Sequence, residues 1–135
     1  MKKKMIHMIV LAMACLFAAC QDSSKLVISD LQCEYLNAPL AIDNTTPHFG
    51  WKMTGGQNGI SSSAYQVLVA TELDKLNEEE ADLWNSGKVS SDTSIGIAYG
   101  GKALTSRTQA YWKVRVWNQA DVPSEWSKPS SFGIG

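Results

Sequence analysis

Short stretches of two-residue alternation, each closed by turn-forming residues about every ten positions, constrain this chain more than any other feature. The clearest is YWKVRVWN, residues 111–118. Successive side chains of a strand point to opposite faces, so Trp112, Val114 and Val116 share one face and Tyr111, Lys113, Arg115 and Trp117 share the other. Lysine and arginine are rarely buried unpaired, which makes the valine face the core side. The same alternation sets Val27, Leu31, Cys33 and Tyr35 against Asp30, Gln32 and Glu34 in LVISDLQCEYL (26–36). It groups Phe49, Trp51 and Met53 in HFGWKM (48–53), and Tyr65, Val67 and Val69 in AYQVLVAT (64–71).

The remaining segments fit that pattern. GGQNG (55–59) is a turn by composition. LWNSGKV (83–89) turns at Ser86-Gly87 into a further short strand. SIGIAYGG (94–101) alternates Ile95, Ile97 and Tyr99 before paired glycines, and EWSKPSSFGIG closes the chain with Trp126 and Phe132. In ELDKLNEEEADLW (72–84) the expectation is a loop with about one or two helical turns. There Leu73, Leu76 and Leu83 would line one side, with Glu78-Glu79-Glu80 in water. The fold class is therefore all-β: a seven-stranded antiparallel immunoglobulin/fibronectin type III-like sandwich over residues 26–135. Trp51 is expected to meet Trp112 across the two sheets.

Residues 1–19 are read as a lipoprotein signal peptide helix that precedes the sandwich. Lys2, Lys3 and Lys4 lead an apolar run from Met5 to Ala19 that is too short to span a bilayer. Phe17-Ala18-Ala19-Cys20 resembles a bacterial lipobox, with Cys20 as the lipid attachment site and residues 20–25 as a polar tether. The alternative is an ordinary cleaved signal in which Cys20 is incidental. Cleavage would remove three lysines and no acid, taking the formal net charge from −1 to −4. Neither value favours a nucleic-acid partner. Of three cysteines, Cys15 would be lost and Cys20 lipidated, so Cys33 could form no internal disulfide. On an apolar strand face it reads as an inert small hydrophobe.

Chemistry-bearing constellations are sparse. Asp43, Asp82, Asp92 and Asp121 are isolated in sequence, so no carboxyl pair for general acid–base work is visible. His48 is the sole histidine after the leader and cannot build a metal site alone. Gly100-Gly101 is a turn without the lysine-serine ending of a phosphate loop. No catalytic residue, metal or cofactor is assigned. The aromatic and cationic stripe Tyr111, Lys113, Arg115, Trp117 has three readings. It is a solvated stripe with cation–π contacts, a docking face for a neighbouring domain, or a platform for sugar stacking on Trp117.

Trp51 on an early strand, then AYQVLVAT, LWNSGKV, IAYGG-x-x-L, YWKVRVWN and EWS, occur here in an order that resembles the N-terminal fibronectin type III-like module of bacterial α-L-rhamnosidases. LQCEYLNAPLAIDNTTPHFGW is similar to that module's opening, with Ala38 set between Asn37 and Pro39. The resemblance implies that further β-sandwich domains and a helical toroid follow in such enzymes. The toroid carries the acids that hydrolyse terminal α-linked L-rhamnose with inversion. No catalytic residue of the toroid can be placed on this chain. The expectation is a non-catalytic accessory module, exported and lipid-anchored in the cell envelope, its partners being downstream or separately encoded rhamnosidase domains, rhamnose-containing glycan and the membrane. The alternatives are a stand-alone carbohydrate-binding lipoprotein and a structural spacer.

Overall fold

The computed structural model describes residues 25–55 and 61–135; the leader, Cys20 and most of the GGQNG turn lie outside them. Among the described residues eight strands form two antiparallel sheets: β1 (Leu26–Cys33), β2 (His48–Gly55), β3 (Ser62–Ala70), β4 (Trp84–Asn85), β5 (Val89–Ser90), β6 (Ile97–Ala98), β7 (Gln109–Asn118) and β8 (Ser130–Gly133). The order is β1-β2-β6 in one sheet and β4-β3-β7-β8 in the other, with β5 also pairing β3. β4 and β5 pair along β3 at Val69↔Trp84, Leu68↔Asn85, Tyr65↔Val89 and Ala64↔Ser90. They are thus one strand interrupted at Ser86-Gly87-Lys88, and the seven-position sandwich read from the sequence is the one observed.

The core lies between the sheets. Phe49 and Trp51 from β2 pack against Val67 and Val69 of β3, Trp112, Val114 and Val116 of β7, and Phe132 of β8. Burying indole and phenyl area at about 25 cal/mol per Å² contributes roughly 4–5 kcal/mol per large aromatic as an upper bound. The sheets therefore hold together with Cys33 as a free thiol. That thiol is 1% exposed, and burial, with a smaller push from Glu34, raises its pKa to about 12. It is inert packing material at neutral pH.

The expected pairing of Trp51 with Trp112 is not found. Phe49 meets Trp112, at 4.5 Å between centroids, while Trp51 packs edge-on against Tyr65 at 5.7 Å. Both tryptophans are buried, but they occupy different columns of the core.

The alternation expected of 26–36 also breaks. Ser29 opposes Lys52, yet the next paired residue is Gln32, opposite Gly50. One extra residue therefore bulges out around Asp30, whose φ is 50°. The bulge reverses the parity of the strand. Leu26 and Ile28 face the core before it, and Leu31 and Cys33 after it. Val27 is exposed as a result, whereas Tyr35, of the same parity as Leu31 and Cys33, is exposed because the strand ends before it. Glu34 and Tyr35, at φ 51° and 62°, then form a two-residue turn closed by reciprocal bonds between Cys33 and Leu36.

Segment 72–84 is a loop with one 3-10 turn, Leu73–Lys75. Leu76 is buried beneath it against Leu68 and Ala70, Leu83 packs on the main core, and Leu73 is exposed instead of lining that side. Glu78, Glu79 and Glu80 lie in solvent as expected. Asp82 secures the loop by accepting bonds from the Thr71 amide (2.9 Å) and hydroxyl (2.6 Å). Burial alone would raise the Asp82 pKa, but these bonds and the charge of Lys75 outweigh it and lower the pKa.

Gly101 shows why the paired glycines are needed. A Cβ there would lie 2.2 Å from the Leu83 carbonyl oxygen and 2.5 Å from Trp84 Cβ. The close approach lets the Lys102 amide donate to Leu83 (2.9 Å) and the Tyr99 hydroxyl donate to the Lys102 carbonyl (2.6 Å). Trp84 stacks on Phe49 and meets Tyr99 edge-on. LWNSGKV and IAYGG are therefore joined at one end of the sandwich.

Candidate functional site

The stripe on β7 lies on the outer face of the larger sheet, beside Gln66 and Leu68 of β3. Lys113 and Arg115 are half-buried, as is Tyr111, which packs on the Leu68 cluster. Trp117 is only 8% exposed, so it is no open platform. Arg115 is layered between two indoles, its guanidinium carbon 5.0 Å from the Trp117 ring and 4.6 Å from the Trp126 ring. Lys88 lies 4.8 Å from Trp117 and Lys113 lies 5.1 Å from Trp126. Cation and π face alternate along the ladder, an attraction that grows as water is excluded.

Arg115 donates within the chain through two of its nitrogens. Its Nη2 bonds Glu78 at 2.7 Å and its Nε donates to Gln66 at 3.1 Å. The Gln66 amide in turn donates to Asn85 at 3.0 Å. Burial lowers the pKa of Lys113, and the charge of Glu78 opposes that shift. The face that the sequence leaves open to ligand or neighbour is thus covered by the chain's own 77–85 loop and Trp126.

Trp126 reaches this position through two serines. Ser127 and Ser124 exchange backbone and hydroxyl bonds with Val114 and Val116. The Ser127 amide donates to the Val114 carbonyl (2.9 Å), and the Val114 amide donates to Ser127 Oγ (3.0 Å). Ser124 repeats the arrangement with Val116, at 2.7 and 3.1 Å. Each hydroxyl replaces a carbonyl that a regular strand would present, and Trp126 is set over the ladder between them. Glu78, Gln66, Lys88, Trp126 and both serines are members that the alternation of β7 alone does not disclose. The signal for the serines and Trp126 is the Ser-x-x-Ser spacing, three positions set against the two between Val114 and Val116, which leaves one residue more than a regular ladder would hold.

His48 is exposed at the start of β2, on the other sheet. Glu34 Oε1 accepts its amide (2.7 Å), faces its Nδ1 (3.1 Å) and accepts an Asn44 amide bond (3.1 Å). Burial opposes ionisation of Glu34, but the His48 and Asn44 bonds outweigh it and lower its pKa. Among the described residues no three His, Cys, Asp or Glu side chains gather as metal ligands would. Asp43, Asp92 and Asp121 stand in separate loops, and Asp121 pairs with Lys88.

Comparison with known proteins agrees with this architecture. An α-L-rhamnosidase of Formosa agariphila is 42% identical over 98% of the chain, and one of Streptomyces avermitilis is 40% identical over 83%. The chain spans only 14% and 11% of those proteins. The solved Streptomyces avermitilis α-L-rhamnosidase, complexed with L-rhamnose, superposes with a TM-score of 0.77 at 40% identity, over 82% of this chain and 10% of that one. The α-L-rhamnosidase from Dictyoglumus thermophilum superposes at 0.78 and 35% identity, over 85% and 13%. A family model described as Rha78A-like, N-terminal immunoglobulin domain matches residues 28–135. The chain belongs to that family: it is an N-terminal immunoglobulin-like domain of the kind found in α-L-rhamnosidases.

Proposed function

We propose that this domain is a non-catalytic accessory module of an exported α-L-rhamnosidase acting on rhamnose-containing glycans, with catalysis carried by other rhamnosidase domains, downstream or separately encoded. The observation that carries the reading is the pairing of near-complete coverage of this chain with a small fraction of each relative. A sandwich whose cationic ladder is braced by its own side chains can space and brace a neighbour without touching the reacting sugar. In this reading residues 1–19 are the leader, 20–25 the tether to a lipid on Cys20, and 26–135 the module, held at the bacterial cell envelope. Tyr111, Lys113, Arg115 and Trp117 then act chiefly as internal bracing, and the half-buried Lys113 offers a rim for a neighbouring domain.

The test joins the chain to the rhamnosidase domains of its Formosa relative and compares that protein with one lacking it. The expected result is rhamnose release from an aryl rhamnoside by the fusion, a melting temperature above that of the shortened enzyme, and no release by the chain alone. Rhamnose release by the chain alone would overturn the reading. For the anchor, Cys20→Ala is expected to move the protein from the membrane fraction to the soluble exported fraction, and unchanged membrane association would remove the lipid from the proposal.

A further inference from the structure

The outer face of the smaller sheet differs from the ladder face. Its centre is Gly50, which faces outward between His48 and Lys52 while Phe49, Trp51 and Met53 face the core. With no side chain at that position, a cleft of about 130 Å³ opens over the strand. Tyr35 and Gln32 form its wall on the β1 side, and Ile95 and Gly96 its wall on the β6 side. Tyr35 is 69% and Ile95 64% exposed, so two apolar side chains stand in water on opposite sides of one small hollow.

The polar groups at the ends of the cleft are held in place. Lys52 pairs with Asp30 at 3.5 Å. The His48 ring is fixed through Nδ1 by Glu34, which leaves Nε2 as its remaining polar atom. Asp30, Glu34 and Tyr35 all have positive φ, half of the six non-glycine residues in that state among the described residues. Of these, Asp30 and Tyr35 line the hollow and Glu34 holds His48, which also lines it.

We propose that this cleft binds a single sugar ring of a glycan. The charges at its edge are already matched, which disfavours an ionic ligand. The Gln32 amide, the Asp30 carboxylate, the Lys52 ammonium and the His48 imidazole together offer donors and acceptors for hydroxyl groups. The Tyr35 ring and the Ile95 side chain offer apolar surface to the C–H face of a pyranose. An apolar hollow with a few converging polar groups is the usual form of a small-ligand site. The choice of a 6-deoxy sugar, with its methyl group set on Ile95, rests on the rhamnosidase reading above; the sugar class rests on the cleft.

The test is amide chemical-shift mapping of the isotopically labelled exported protein titrated with L-rhamnose, and with D-glucose as the comparator. The expected result is saturable shifts at Gln32, Tyr35, Gly50, Ile95 and Gly96, with affinity on the order of millimolar for so few contacts. Tyr35→Ala should weaken binding about tenfold through loss of the ring face. Gly50→Ala should weaken it by raising the floor, with the melting temperature retained, since the added Cβ meets nothing closer than the Ser94 carbonyl oxygen at 3.4 Å. Absence of saturable shifts with either sugar, shifts confined to the Trp117–Trp126 face, or unchanged affinity in Tyr35→Ala would overturn the proposal. Tighter binding of glucose than of rhamnose would overturn the choice of sugar. Because these readouts need only this chain, their failure is separable from failure of the accessory-module reading, which is decided by the fused enzyme.

Discussion

The two outer faces of this sandwich are built on opposite plans. The β3–β7 face is rich in aromatic and cationic side chains, yet Trp126 and the 77–85 loop cover it, and Arg115 is held by Glu78, Gln66 and two indoles. The β1–β2–β6 face has ordinary composition, yet a glycine in mid-strand leaves a hollow beside an exposed tyrosine and isoleucine. Tryptophan and arginine mark a binding surface only where their faces and donors are free. Where the chain itself satisfies them, they act as internal bracing.

Substitutions should separate the two faces. The largest effect is expected from Trp117→Ala, which empties a buried site and should cost about 3–4 kcal/mol in urea denaturation. A change below about 1 kcal/mol would mean that the ladder face is open in solution. Arg115→Met keeps much of the stem but removes the ion pair, the bond to Gln66 and both cation–π contacts. It should cost about 2 kcal/mol, and a neutral outcome would remove bracing as the role of the ladder.

Acid should produce a smaller effect on the opposite face. The Glu34 pKa is lowered in the folded protein from its ordinary value of 4.5. Its contribution is therefore fully present above that value and is lost as pH falls through the folded pKa. Glu34→Gln should narrow its stability gap from the parent as pH falls from neutral to below the ordinary carboxylate range, measured by thermal melts. A gap that stays constant would show that Glu34 ionisation is unlinked to folding. The smallest effect is expected from Tyr35→Ala, within about 0.5 kcal/mol of the parent, because its ring packs on little else. A large loss would show that Tyr35 is structural and the cleft merely its packing defect.

How legible this molecule is depends on whether a residue's neighbours are near in sequence. The buried face of β7 follows from alternation alone, because a strand lets Trp112, Val114 and Val116 point only one way. The same rule misplaces Val27, because one extra residue at Asp30 exchanges the faces of β1, and Tyr35, because the strand ends in the Glu34-Tyr35 turn; nothing in the apolar pattern announces either. Trp117 is correctly placed on the outer face, but its burial depends on Lys88, Arg115 and the return of the chain after β7. The cleft leaves a fainter trace still: Gly50 on the polar side of a strand shows missing bulk, while its walls come from the Tyr35 turn and the Ile95 loop.

Local covalent rules were enough to specify an all-β sandwich and the inward side of β2, β3 and β7. Period and turn chemistry are properties of adjacent residues, and any strand must obey them. Which aromatics touch, which cations are already matched and which face stays open were settled only in three dimensions. Those outcomes depend on segments far apart in the chain competing for the same space and the same hydrogen bonds.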